Sequence, residues 1–97
     1  MFGLENVDLQ RIVAIFRQNE NIESATIFGS RAKGDFRNGS DIDISIKGVN
    51  LHFDDLIEIS QQYEKLNLPY KFDVVIYDRI KEDALKEYIR RVEKTIY

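Results

Sequence analysis

From Ile27 to Ile46 the chain reads IFGSRAKGDFRNGSDIDISI, and this stretch leaves few folds open. Its pattern predicts a strand, a tight glycine turn, a short basic segment, a second turn and another strand. The second strand carries Asp41 and Asp43, with Ile42, Ile44 and Ile46 alternating between and beyond them. Residues two apart share a face of a strand, so both carboxylates point one way while the isoleucines point into a core. Two carboxylates about 4 Å apart repel by roughly 4 kcal/mol at an effective dielectric near 20. A chain that places them side by side needs a cation there or tolerates a raised pKa. Oxygen ligands at this spacing suit Mg²⁺, which is held by a few carboxylates together with substrate phosphates.

The first half of the stretch supplies what such a metal serves. Gly29-Ser30 follows the apolar run Ala25 to Phe28, and a helical turn is expected after it. Glycine lets the backbone approach a ligand closely, and free N–H groups at a helix start favour anions. Ser30 adds a hydroxyl, and Arg31, Lys33 and Arg37 add positive charge nearby. A phosphate cradle facing a carboxylate pair describes a nucleotide–metal site and chemistry on a phosphoryl group.

Gly29-Ser30, ten intervening residues and then Asp41-Ile42-Asp43 resemble the GS-x10-D-x-D signature of the DNA polymerase beta-type nucleotidyltransferases. The short chain and the GSRAKG wording look most like the minimal nucleotidyltransferases, small proteins often found as the antitoxin beside a HEPN-domain toxin. The resemblance covers nearly the whole chain. A lone Gly-Ser carries no information and a lone Asp-x-Asp little; joined at this spacing, each at the right end of a strand, they are specific.

With 97 residues, one domain spanning 1–97 is expected, above the size at which disulfides or metals are usually needed to fold. The 43% hydrophobic content is ordinary for a globular protein with a real core. The absence of cysteine rules out a disulfide scaffold and thiolate zinc sites. No apolar run approaches a membrane span and no signal-peptide pattern opens the chain, so a cytoplasmic location is the expectation. A net charge of −3 argues against a broad nucleic-acid-binding surface.

Taken in order, Leu9, Ile12, Val13 and Phe16 give the stripe of an amphipathic helix from about Val7 to Gln18, with Asn6 or Asp8 as its cap. Ser24 to Phe28 is the first strand, Ala32 to Ser40 a short helix followed by a loop, and Asp41 to Lys47 the second strand. Phe53, Leu56, Ile57, Ser60 and Tyr63 mark the buried face of a helix reaching Leu66. His52, near its start, has no ligand cluster around it and reads as a surface residue. Pro69 fits the approach to an edge strand, and Tyr70 to Tyr77 forms it. Asp78 then caps a last helix with Leu85, Tyr88, Ile89, Val92 and Ile96 at helical spacing. The fold class expected is α+β: a small mixed sheet of three or four strands flanked by helices, the nucleotidyltransferase core that the resemblance implies.

The resemblance also implies roles. Asp41 and Asp43 would bridge two Mg²⁺ ions about 3.5–4 Å apart. Asp73, unusual inside a strand, matches the family's third acidic residue and would ligate the second ion and help take the acceptor's proton. A surface aspartate on an edge strand would explain Asp73 alone; the upstream motif favours the functional role. Gly29 and Ser30 would hold the β- and γ-phosphates, with Arg31 close enough to touch phosphate. Lys33 and Arg37 stay open between phosphate contact and solvated charge, and Asp35 reads as surface. ATP would be the donor, and the acceptor a tyrosine of a HEPN-type toxin partner in a hetero-oligomer. The alternatives are an antitoxin that inhibits by contact alone and a small-molecule nucleotidyltransferase of the antibiotic-modifying type.

Overall fold

Ile42, Ile44 and Ile46 are all fully buried, and burying each contributes about 2 kcal/mol. A one-residue slip of their strand would turn all three outward and push its carboxylates inward, so their register is strongly held. In a computed structural model describing residues 1–97, the elements are α1 (Asn6–Arg17), β1 (Ser24–Phe28), α2 (Gly29–Lys33), β2 (Ile42–Lys47) and α3 (Phe53–Glu64). They are followed by β3 (Phe72–Ile76), a 3₁₀ turn (Tyr77–Arg79), α4 (Asp83–Val92) and β4 (Lys94–Thr95). The sheet order is β3-β2-β1-β4. β1 runs antiparallel to β2 and β4, whereas β2 and β3 are parallel, as a crossover through α3 requires.

The sheet separates two layers. The β2 isoleucines, with Ala25 and Ile27 of β1, pack against Ile12, Ile15 and Phe16 of α1 and Ile59 and Tyr63 of α3. On the opposite face a smaller cluster of Phe28, Tyr77 and Ile89 lies under α4. That face also carries Asp43 and, across the parallel ladder, Asp73. The sheet is therefore mixed and four-stranded, an α+β fold.

Several local expectations are corrected. The helix α1 starts at Asn6 with Glu5 in the cap position and no side-chain cap, so neither Asn6 nor Asp8 caps it. The short helix begins at Gly29 itself rather than at Ala32. Asp78 sits in the 3₁₀ turn, and Glu82 precedes α4. Ile96 is not helical: α4 stops at Val92, and the chain turns to pair Thr95 with Thr26. The Ala25 N–H donates to the Tyr97 carbonyl (2.9 Å) and the Ile96 N–H to that of Ala25 (3.0 Å), extending this pairing.

The largest correction concerns α3. Its buried side chains are Ile59 and Tyr63, while Phe53 and Ile57, expected inside, are 66% and 42% exposed. The helix has two apolar stripes that share Leu56 and Tyr63, and periodicity cannot choose between them. Tyr63 decides the rotation. Its ring stacks on Phe72 at 4.0 Å, and its hydroxyl donates to the Tyr70 carbonyl at 2.7 Å. Burial raises the Tyr63 pKa above the ordinary value, with Tyr70 adding to the effect.

Candidate active site

Three strand ends converge at one end of the sheet: the C-terminus of β1 and the N-termini of β2 and β3. Phe28 lies opposite Asp43 in the β1–β2 ladder, and Asp43 lies opposite Asp73 in the β2–β3 ladder. Paired residues on adjacent strands share a face about 4.8 Å apart, so Asp43 and Asp73 stand side by side. Asp41 precedes β2 by one residue and is exposed, as is Asp73; Asp43 is half-buried. The Asp43 carboxyl is raised above the usual carboxylate range, first by burial and then by the charges of Asp73 and Asp41. Asp43 thus feels the charge of both other predicted carboxylates.

Gly29 makes this approach possible. It is buried and has φ +75°, a conformation that side chains resist. A Cβ there would lie 2.6 Å from Asp43 Oδ2. The turn after β1 is therefore pressed directly against the central carboxylate. Ser30 follows it, half-buried, and its carbonyl accepts from the N–H groups of Gly34 (2.9 Å) and Asp35 (3.2 Å) to close α2. Gly34, at φ 88°, ends the helix.

Arg31 departs from expectation. Its side chain is turned into the protein and is 2% exposed, so it cannot reach a phosphate at the surface of the turn. Its guanidinium donates to the carbonyls of Ser40 and Phe2 and lies over the rings of Phe36 and Tyr70. The physical reason is the aromatic pocket, which stacks on a planar, weakly hydrated guanidinium and leaves backbone carbonyls to accept its hydrogen bonds. Lys33 and Arg37 remain outside. Lys33 pairs with Asp35 at 3.5 Å and stands 6.0 Å from the centre of the Tyr88 ring, while the Arg37 backbone N–H donates to Ser40 Oγ at 2.8 Å. Tyr88, on α4, is a neighbour of α2 that no sequence motif indicated.

No three acidic or histidine side chains converge into a ready-made metal cluster. A site completed by substrate does not need one, because Mg²⁺ takes one or two carboxylates together with phosphate oxygens. The mutual repulsion centred on Asp43 is what a cation there would relieve, so the donor set fits such an ion. No helix is long and apolar enough to cross a membrane.

A glycine turn is thus pressed on Asp43, which stands beside Asp73, at one end of a mixed sheet. Residues 10–97 match the family described as polymerase beta, nucleotidyltransferase, and the chain belongs to that family. Solved structures share the fold. One described as a toxin–antitoxin with AMP-PNP superposes with a TM-score of 0.76 at 21% identity, covering 92% of this chain and 72% of that one. A chain of the MntA–HepT toxin–antitoxin gives 0.70 at 18% identity, covering 96% and 72%. A third, a tri-AMPylated HEPN toxin in complex with its MNT antitoxin from Shewanella oneidensis, gives 0.65 at 15% identity, covering 97% and 72%. No curated protein matches the chain.

Proposed function

We propose that this protein transfers AMP from ATP to a hydroxyl of a partner protein, a HEPN-type toxin, and thereby acts as its antitoxin. The observation that carries the reading is the placement of Asp43 directly beside Asp73 with Gly29 against the Asp43 carboxylate. The similarity in fold to structures described with AMP-PNP and with an AMPylated HEPN toxin supports the donor and the acceptor.

Asp41, Asp43 and Asp73 would hold Mg²⁺, which when bound neutralises triphosphate charge and lowers the pKa of an oxygen it contacts. Gly29 and Ser30 hold the β- and γ-phosphates through backbone N–H groups and the hydroxyl, fixing the α-phosphorus for in-line attack. Asp73, exposed on the β3 side, accepts the acceptor's proton. The acceptor oxygen forms a bond to the α-phosphorus as the bond between that phosphorus and the bridging oxygen breaks. Pyrophosphate leaves with those electrons, and Asp73 passes its proton to solvent.

Intact mass of a HEPN-type partner after incubation with this protein, Mg²⁺ and each NTP tests the proposal. Gain of one or more AMP units with ATP alone, lost in Asp41→Asn, is expected. A stable complex that neutralises the partner without any mass change would replace transfer by inhibition through contact.

A further inference from the structure

Across the sheet the site has a direction. The order is Gly29 beside β1, then Asp43 on β2, then Asp73 on β3, and β3 has no strand beyond it. The helix α2 occupies the β1 side, where the donor phosphates are placed. On the β3 side a groove of about 350 Å³ opens between Phe53, Leu56 and Ile57 of α3 and Phe72, Asp73 and Val74 of β3. Asp73, whose side chain is on the α4 face of the sheet, also borders this groove at the β3 edge, so a chain laid along that edge reaches both.

Two features of the groove define its occupant. The outer edge of β3 is unpaired. Ile42 N–H donates to the Lys71 carbonyl on the inner edge (2.8 Å), and ladder alternation turns the peptide groups of Phe72 and Val74 outward. An extended polypeptide can add there as a fifth strand. The lining is apolar except for Ser60, Gln61 and two carboxylates, Glu64 and Asp73, and it holds no lysine or arginine. Farther along, past Val75 and Ile80, the one lining cation is Arg79, and its guanidinium donates to the Leu51 carbonyl at 3.1 Å. A nucleic acid would require a basic groove. A second copy of this chain would set Asp73 and Glu64 against their own kind.

We propose that this groove docks an extended segment of the acceptor protein, apolar and lysine- or arginine-bearing, which adds to the outer edge of β3 and brings its hydroxyl to Asp73. The docking stands on the groove itself; the role of the hydroxyl rests on the transfer reading above.

The test uses the whole ¹⁵N-labelled chain without nucleotide, titrated with two synthetic peptides of valine and tyrosine, one interspersed with lysine and the other with glutamate. The lysine peptide is expected to shift the amide resonances of Phe53, Ile57, Phe72 and Val74 and to slow exchange of the Phe72 and Val74 N–H groups. Ile57→Arg, at a partly exposed position, is expected to weaken binding about tenfold, and Phe53→Ser serves as a second variant should the first lose its folded spectrum. Equal binding of the two peptides, shifts on another face, indifference to both variants, or no binding overturns the proposal. The transfer reading is separable. Docking in the groove with no AMP passed to any hydroxyl removes transfer and leaves the groove; AMP transfer to a partner protein undiminished in Ile57→Arg removes the groove and leaves transfer.

Discussion

The Arg31 guanidinium clasps the carbonyl oxygen of Ser40, donating from Nε at 3.1 Å and from Nη2 at 2.9 Å. Ser40 immediately precedes Asp41, so the helix that begins at the Gly29 turn is tied to the start of the carboxylate strand. The same group donates from Nη1 to the Phe2 carbonyl at 2.9 Å and lies 4.6 Å from the centre of the Tyr70 ring. One buried cation thus links the N-terminal turn, α2, the loop before β2 and the approach to β3. Replacement by lysine keeps the charge but loses the planar fork. Both Arg31→Lys and Arg31→Met are expected to lose about 3 kcal/mol of stability, measured by urea unfolding. Near wild-type stability of Arg31→Lys would restore a simple charge role at the phosphates.

Gly29→Ala puts a methyl group 2.6 Å from Asp43 Oδ2 on a backbone with φ +75°. Expected are a destabilisation of about 1–3 kcal/mol and loss of nucleotide transfer, because the turn and the carboxylate must separate. Thermal unfolding and the mass assay check the two halves independently. A fully active variant would show that their close approach is dispensable.

Asp43 is raised by burial and by the neighbouring charges of Asp73 and Asp41, so its ionised form is disfavoured in the fold. At neutral pH this weakens the protein, and the penalty disappears as pH falls through the raised folded pKa. Asp43→Asn is therefore expected to raise the metal-free melting temperature by a few degrees, at about 4–8 °C per kcal/mol for a domain of this size, while abolishing transfer. Solvent access keeps the gain at the lower end. A calorimetric scan in chelator that shows lower stability would contradict it.

Asp55 behaves oppositely. Its carboxylate accepts from Asn19 Nδ2 at 2.9 Å, from the His52 N–H at 2.8 Å and from Asn21 Nδ2 at 3.5 Å. Its pKa is lowered, chiefly by Asn19 and then by His52. The ionised form is favoured in the fold, so its stabilisation is complete above the ordinary value of 3.8 and is lost as pH falls through the lower folded value. Asp55→Asn should unfold at lower temperature than wild type at neutral pH, with the difference shrinking below about pH 4. Melting temperatures across this range decide it.

What the sequence carried on its own was periodic and local. Alternation along Asp41 to Ile46 defined a strand with an apolar and an acidic face, and the structure buries Ile42, Ile44 and Ile46. The apolar run ending at Phe28 gave β1 with its observed limits, and Gly29-Ser30 with Asp41 and Asp43 offered a candidate site. The third carboxylate rested on resemblance, since nothing local says which strand lies beside β2. The tertiary structure decided that, through the crossover that sets Asp73 opposite Asp43. It also decided the rotation of α3, where the Tyr63–Phe72 stack chose one apolar stripe and left Phe53 and Ile57 open. It turned Arg31 inward, away from the surface of the Gly29-Ser30 turn, into the pocket of Phe36 and Tyr70. Periodicity fixes which residues share a face; what that face meets depends on residues distant in sequence, and only packing brings them together.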